Sequence, residues 1–364
     1  MPYSHHSHSG QYCKHASGLL EEVVQEAIRQ HFQIYGLTEH VPRYREVDLY
    51  PEEVRFLSPI WMLLRATHFT SLMKMGVIQI DTLSNQFDHF VVEAHRLKQL
   101  YAPQITLLVG LETDYITNTD LEGLESLLQR HGESIEYIVG GIHHINEIPI
   151  DFDFSTYRKA LQSFSIEKEE EDRQEAFMLA YFDAQYELIQ RFKPEVIAHF
   201  DLCRLYDPNL RFADFPDVLK KIERNICFAV DYGALFEINT AALRKNWPSP
   251  YPAKDVVEVC CYATLTRKII LYISNHSFLS LFSSQIIHRH NGRFTLSDDS
   301  HGPHAVGLNY HRLPEYLQAV AISELWFLQR SNSPNVAGRN IQAVQVKLDG
   351  EWLDHEFWRT RSIP

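Results

Sequence analysis

His6 and His8 stand two residues apart in the opening stretch PYSHHSHSGQYCKHA, and His15 follows within it. Histidine-rich termini can be purification tags, but the spacing points elsewhere. Side chains two apart on an extended strand share a face, so His6 and His8 can meet one metal ion while His5 turns the other way. Comparable residues recur along the chain: His40 in GLTEH, Glu112 in GLETD, His143 in GGIHH, His199 in IAHFD, and Asp299 and His301 in SDDSH. With His15 they make seven imidazoles and two carboxylates, too many donors for one ion. Shared carboxylates and water could complete two or three divalent ions, and Zn, Fe and Mn all accept this donor set. A hydroxide bridging such ions is a nucleophile at neutral pH, and the same ions neutralise phosphate oxygens during in-line displacement. Glu112, the one glutamate of the set, is the carboxylate expected to bridge.

These residues need a scaffold that gathers distant parts of the chain. Seven short apolar runs recur, at the N-terminus and at 31–40, 105–114, 135–145, 194–202, 235–240 and 292–301. Stretches with apolar positions three or four apart lie between them. Alternating strand and helix predicts a parallel sheet covered by helices. The candidate residues fall at the C-terminal ends of the runs, where a parallel α/β barrel collects its active site. Four segments stand apart. Residues 43–90 make an over-long connection, expected to form a flap over the barrel mouth. The acidic run at 167–173 reads as a solvated helix start. VQVKLDGEW predicts a hairpin with Asp349-Gly350 as its turn. Residues 260–284 are too apolar for a surface insert and too charged for a membrane span; an insertion or a translated intron would explain them. The expected organisation is a barrel over 1–330 and a C-terminal extension over 331–364.

Composition bounds the function. The chain has 364 residues, 45% of them hydrophobic, enough for a large core. Its net charge of -13 disfavours binding to a nucleic-acid backbone. Five cysteines without a CxxC pair, and no signal-like or membrane-spanning start, lead to the expectation of a cytoplasmic protein without disulfides.

The motifs HSHS with His15, GLTEH, GLETD, GGIHH, IAHFD and SDDSH, in that order, resemble the PHP (polymerase and histidinol phosphatase) superfamily, and within it the fungal type of histidinol-phosphate phosphatase. The similarity runs from about residue 3 to 330. It implies a distorted (β/α)7 barrel with a trinuclear metal site, hydrolysing L-histidinol phosphate to L-histidinol and phosphate in histidine biosynthesis. By this resemblance His6 and His8 hold one ion with Glu112 and Asp299, and Glu112 bridges to a second held by His143 and His199. His15, His40 and His301 hold the third, and Glu112, Asp299 and His301 carry catalysis. The motif pattern selects His143 over His144 and Asp299 over Asp298, leaving His5, His144 and Asp298 as neighbours that orient ligands. Phosphate also suits guanidinium donors. Arg204 and Arg244 each follow a strand end and are the candidates, with Asn239 as a substrate hydrogen-bonder and Arg43 and Arg158 as weaker choices. Two other readings stay open: an amidohydrolase-type hydrolase or deaminase, which also opens with HxH, and a non-catalytic metal-binding relative.

Overall fold

The computed structural model describes residues 2–50, 53, 69–164, 169–245, 247–259, 292–348, 352 and 354–359. Seven strands form one parallel sheet in sequence order: β1 (Tyr3–Ser4), β2 (Ile34–Leu37), β3 (Thr106–Glu112), β4 (Tyr137–Gly140), β5 (Val196–Ile197), β6 (Leu235–Asn239) and β7 (Arg293–Ser297). The seam between β7 and β1 is closed by His5 N–H donating to Leu296 O at 3.3 Å and by a short parallel pair just beyond, Ser7–His8 with Ser300–His301. The result is a nearly closed seven-stranded barrel.

The strands are apolar on both faces because both faces are covered. In β3 every residue after Thr106 is buried. Inside the barrel Tyr137 crosses the axis and its hydroxyl donates to His5 O at 2.9 Å. Gly36 makes room for it: a Cβ there would sit 1.9 Å from the Tyr137 hydroxyl oxygen. The outer layer is built from α1 (Leu20–Arg29), α2 (Phe69–Leu100), α3 (Asn118–His131), α4 (Phe154–Gln162), α5 (Glu170–Phe192) and α6 (Pro216–Tyr232). Leu20, Val23, Val24 and Ala27 of α1 are buried at helical spacing and form one apolar stripe. Helix α6 starts with Pro216, whose missing N–H costs nothing in the first turn, and stops at Gly233, whose φ of 91° suits only a residue without Cβ. The acidic run opens α5, where Glu170, Glu171 and Asp172 face the positive end of the helix dipole.

Of the 43–90 connection, the part from Phe69 onward belongs to α2, which buries Phe90, Ala94 and Leu97 against the barrel. Residues 260–284 lie outside the described residues. The C-terminal hairpin differs from expectation. Its arms are β8 (Glu324–Arg330) and β9 (Ile341–Lys347), in register from Glu324–Lys347 to Arg330–Ile341, so the turn is 331–340. Asp349 and Gly350 lie outside the described residues. The apolar alternation of the second arm was visible in sequence; its partner strand was not. Among the described residues no helix is long and apolar enough to cross a membrane.

Candidate metal centre

The strand ends converge as the barrel face requires. His6 and His8 share a face, their ring centroids 5.0 Å apart, while His5 turns away and its Nε2 accepts from Leu328 N–H of β8 at 3.0 Å. His40 is held beside Glu112 by a parallel bridge that continues the pairing of β2 with β3. The seam does the same for the two ends of the set, since His8 and His301 are register partners.

Glu112 is the hub. Its Oε1 lies 3.1 Å from His6 Nε2, 3.1 Å from His199 Nε2 and 3.3 Å from His143 Nε2. Its Oε2 lies 3.3 Å from His8 Nε2 and 3.0 Å from His40 Nδ1. Asp299 Oδ1 lies 3.7 Å from His6 Nε2, 3.5 Å from His8 Nε2 and 3.5 Å from His301 Nδ1. His15 sits at the rim, its ring 5.4 Å from that of His40 and 5.1 Å from that of His301. Among the described residues, donor atoms close enough to share an ion fall into four overlapping groups: His6, His8 and Glu112; His8, Asp299 and His301; Glu112, His143 and His199; and Cys13, His15, His40 and His301. All nine predicted donors are in this one constellation.

The set fits divalent cations. His6 Nε2 and both ring nitrogens of His8 and of His40 are buried without a hydrogen-bond partner. Each such orphan costs about 1–3 kcal/mol if nothing satisfies it, and a cation satisfies several lone pairs together. Without a cation the protons must take that place. Burial alone would raise the Glu112 carboxyl, but the charges of His6, His143 and His40 hold it well below the usual range. Burial would lower His143, yet Glu112 carries it up to about 9. His40 falls to about 4 through burial and the neighbouring His8.

Orienting partners emerge that the sequence reading missed. Glu237, fully buried in β6, accepts from His6 Nδ1 at 3.1 Å, from His199 N–H at 2.7 Å and from Asn239 Nδ2 at 2.7 Å. Glu39 stands 3.9 Å from His8 Nδ1 and accepts from the Ser9 N–H and hydroxyl at 2.8 and 2.6 Å; burial pushes its carboxyl up to about 7. An acid inside an otherwise apolar strand, as in LFEIN, was the available signal for Glu237. Cys13 adds a sulfur 3.1 Å from His15 Nε2.

Above the donors opens a cavity of about 520 Å³ whose lining includes Tyr50, Asp151, Phe152, Arg244, Lys245 and Tyr251. Arg244 lines this cavity, with Nη2 donating to Asp299 O at 2.9 Å. Arg204 does not. It is buried, with Asp201 and Asp255 accepting at 2.8 and 2.6 Å from Nη2, Leu210 O accepting at 2.8 Å from Nη1, and Phe212 beneath it. The expected phosphate contact is therefore corrected to a structural ion cluster outside the cavity. Asn239 is also turned from substrate: its amide donates to Glu237 and Asp299, and its oxygen accepts from Ala241 N–H at 2.8 Å. Arg43 is held by Glu53 and Asp114 at 2.8 and 3.1 Å, and Arg158 is exposed over Phe154. Of the expected orienting neighbours, His144 lies 3.1 Å from Asp114, itself 3.9 Å from His143 Nδ1. Asp298 fastens the turn after β7 by accepting from Ser4 Oγ at 2.9 Å and Gly307 N–H at 2.7 Å, which holds Asp299 at its φ of 47°.

Comparison with known proteins agrees with this geometry. Residues 4–241 match the PHP domain. A Schizosaccharomyces pombe protein named "Probable histidinol-phosphatase" is 39% identical over 97% of this chain and 96% of its own length. A Saccharomyces cerevisiae histidinol-phosphatase is 29% identical over 98% of this chain and 99% of its own. Among solved structures, a histidinol phosphate phosphatase from Lactococcus lactis, complexed with zinc, L-histidinol and phosphate, superposes with a TM-score of 0.54 at 17% identity, covering 94% of this chain and 98% of that one. A Listeria monocytogenes structure gives 0.57 at 21%, covering 85% and 98%. The last two share the fold; the family match and the near full-length relatives fix the lineage, and the chain belongs to the PHP domain family.

Proposed function

We propose that this chain is a metal-dependent phosphomonoesterase that hydrolyses L-histidinol phosphate to L-histidinol and phosphate, in the cytoplasm, as a step of histidine biosynthesis. The observation that carries the reading is Glu112, one carboxylate with five imidazole nitrogens within 3.3 Å of its two oxygens. The near full-length similarity to two fungal histidinol-phosphatases supports the choice of substrate.

On this reading two or three ions of the Zn, Fe or Mn type are held in the partition expected from the motifs. His6, His8, Glu112 and Asp299 would hold the first, Glu112, His143 and His199 the second, and His15, His40 and His301 the third. Such ions supply Lewis acidity, which makes water nucleophilic at neutral pH and offsets charge on phosphate oxygens. The chain's own residues do the rest. Glu237 accepts from His6 Nδ1, leaving the Nε2 lone pair turned toward Glu112. Arg244, anchored by Asp299 O, and Lys245 give the cavity cationic side chains for the phosphoryl oxygens. Asn239 donates to Asp299 and Glu39 faces His8 Nδ1 at 3.9 Å, both behind the donors rather than at substrate.

The test is phosphate release from L-histidinol phosphate and from phenyl phosphate, with and without chelator, alongside metal analysis. At least two ions per chain and chelator-sensitive turnover with preference for L-histidinol phosphate are expected. Metal-loaded protein that leaves L-histidinol phosphate intact would refute the reading.

A further inference from the structure

Among the described residues four carboxylates line the cavity: Glu112, Asp114, Asp151 and Asp299. Glu112 and Asp299 stand among the imidazoles, and Asp114 is taken by Arg43 and His144, each at 3.1 Å. Asp151 is different. Among the described residues its carboxylate has neither a hydrogen bond nor an ion pair. Its backbone is nonetheless pinned on both sides: Ile150 N–H donates to His143 O at 2.9 Å, and Asp153 caps α4 by accepting from Thr156 N–H at 2.7 Å. Beside it Phe152 is 46% exposed, unusual for a phenylalanine, and stacks on Tyr50 with centroids 5.7 Å apart and planes at 13°. The backbone that carries the carboxylate is thus fixed at the cavity, next to an aromatic wall that lowers the local dielectric and strengthens any charge pair made there.

We propose that Asp151 binds the ammonium group of the substrate and so selects phosphate esters of amino alcohols. This rests on the function proposed above. The remaining cavity is built for anions, with Arg244, Lys245 and His304 in its lining. A substrate carrying an ammonium close to its phosphate would be repelled by that surface unless a negative group answered it. Among the described lining carboxylates Asp151 is the one that no cationic side chain pairs with directly, although the charges of His143 and Lys245 act on it. A charge-assisted hydrogen bond in such a place discriminates by roughly 10- to 100-fold.

The experiment compares L-histidinol phosphate with its des-amino ester, in which hydrogen replaces the ammonium. The unmutated enzyme is expected to favour the amine by at least about 10-fold in kcat/KM, carried by KM. In Asp151→Asn that ratio falls toward one. A second measurement needs no variant: L-histidinol should inhibit at least about 10-fold better than the des-amino alcohol. Equal inhibition by the two alcohols, or an Asp151→Asn enzyme that keeps its amine preference, overturns the assignment of Asp151 and leaves the phosphatase reading standing. Failure of the unmutated enzyme to hydrolyse L-histidinol phosphate while it hydrolyses phenyl phosphate overturns both.

Discussion

Replacing Glu237 with glutamine changes one atom and reaches the centre of the site. The carboxylate meets three donors, His199 N–H and Asn239 Nδ2 on Oε1 and His6 on Oε2. A carboxylate only accepts, so His6 carries its proton on Nδ1 and presents the Nε2 lone pair toward Glu112, 3.1 Å away. In Glu237→Gln the amide oxygen can keep the two contacts on Oε1, and the new NH2 then faces His6 Nδ1. Two donors cannot pair, so His6 must move its proton to Nε2, and on the proposed assignment that nitrogen could no longer ligate the first ion. Loss of this kind of support typically costs 10- to 100-fold in metal affinity, or about 1.4–2.7 kcal/mol. The fold should scarcely notice, because volume and two of three hydrogen bonds persist. The assay is competitive chelation of the purified variant followed by metal analysis, with thermal unfolding of chelated protein as the control. Metal affinity within about twofold of the unmutated protein, with the chelated forms equally stable, would refute the reasoning that the His6 tautomer is set from behind.

Arg204→Met leaves Asp201 buried without its partner, so it should destabilise by about 3–5 kcal/mol, read from urea unfolding. The KM for L-histidinol phosphate should stay unchanged, since the guanidinium is outside the cavity. Burial lowers the pKa of His5 to about 3 in the folded protein. The unfolded chain takes up the proton near pH 6.5 and the folded protein does not, so this group's contribution declines as pH falls from about 6.5 toward 3, by about 2 kcal/mol at pH 5. Urea unfolding of unmutated protein and His5→Gln at pH 7 and pH 5 should show the stability gap shifting by that amount in favour of the variant. Chelation should abolish phosphate release, and restoring Zn, Mn or Fe(II) should return it; activity that survives complete metal removal would contradict the assignment of all nine donors.

Much of the scaffold was readable because its determinants are local. Period-two alternation separated His6 and His8 from His5, and the structure keeps them on opposite sides. The polar residues closing each apolar run marked the barrel face, down to Asp299 and His301 after β7. What escaped depended on contacts between distant segments. Arg204 follows a strand end much as Arg244 does. The i, i+3 partner Asp201 was visible in DLCR, but Asp255, which takes the other edge of the guanidinium, lies in a different helix. Asn239 looked like a substrate contact until Glu237, two residues away on the same face, claimed its amide. The strand ahead of Asp349-Gly350 was evident too, but that it pairs with Glu324–Arg330 was not, because strand pairing is chosen by neighbours rather than by the arm itself.

The seam has a consequence for how the molecule comes to be. His8 meets His301 only when the first and last barrel strands have found each other, across roughly three hundred residues of chain. Until then the opening histidines lack the partners from the far end of the chain with which they could cage a cation. Capture of the full complement therefore requires the seam to be closed, and ions held there would tie the earliest and the latest parts of the chain together.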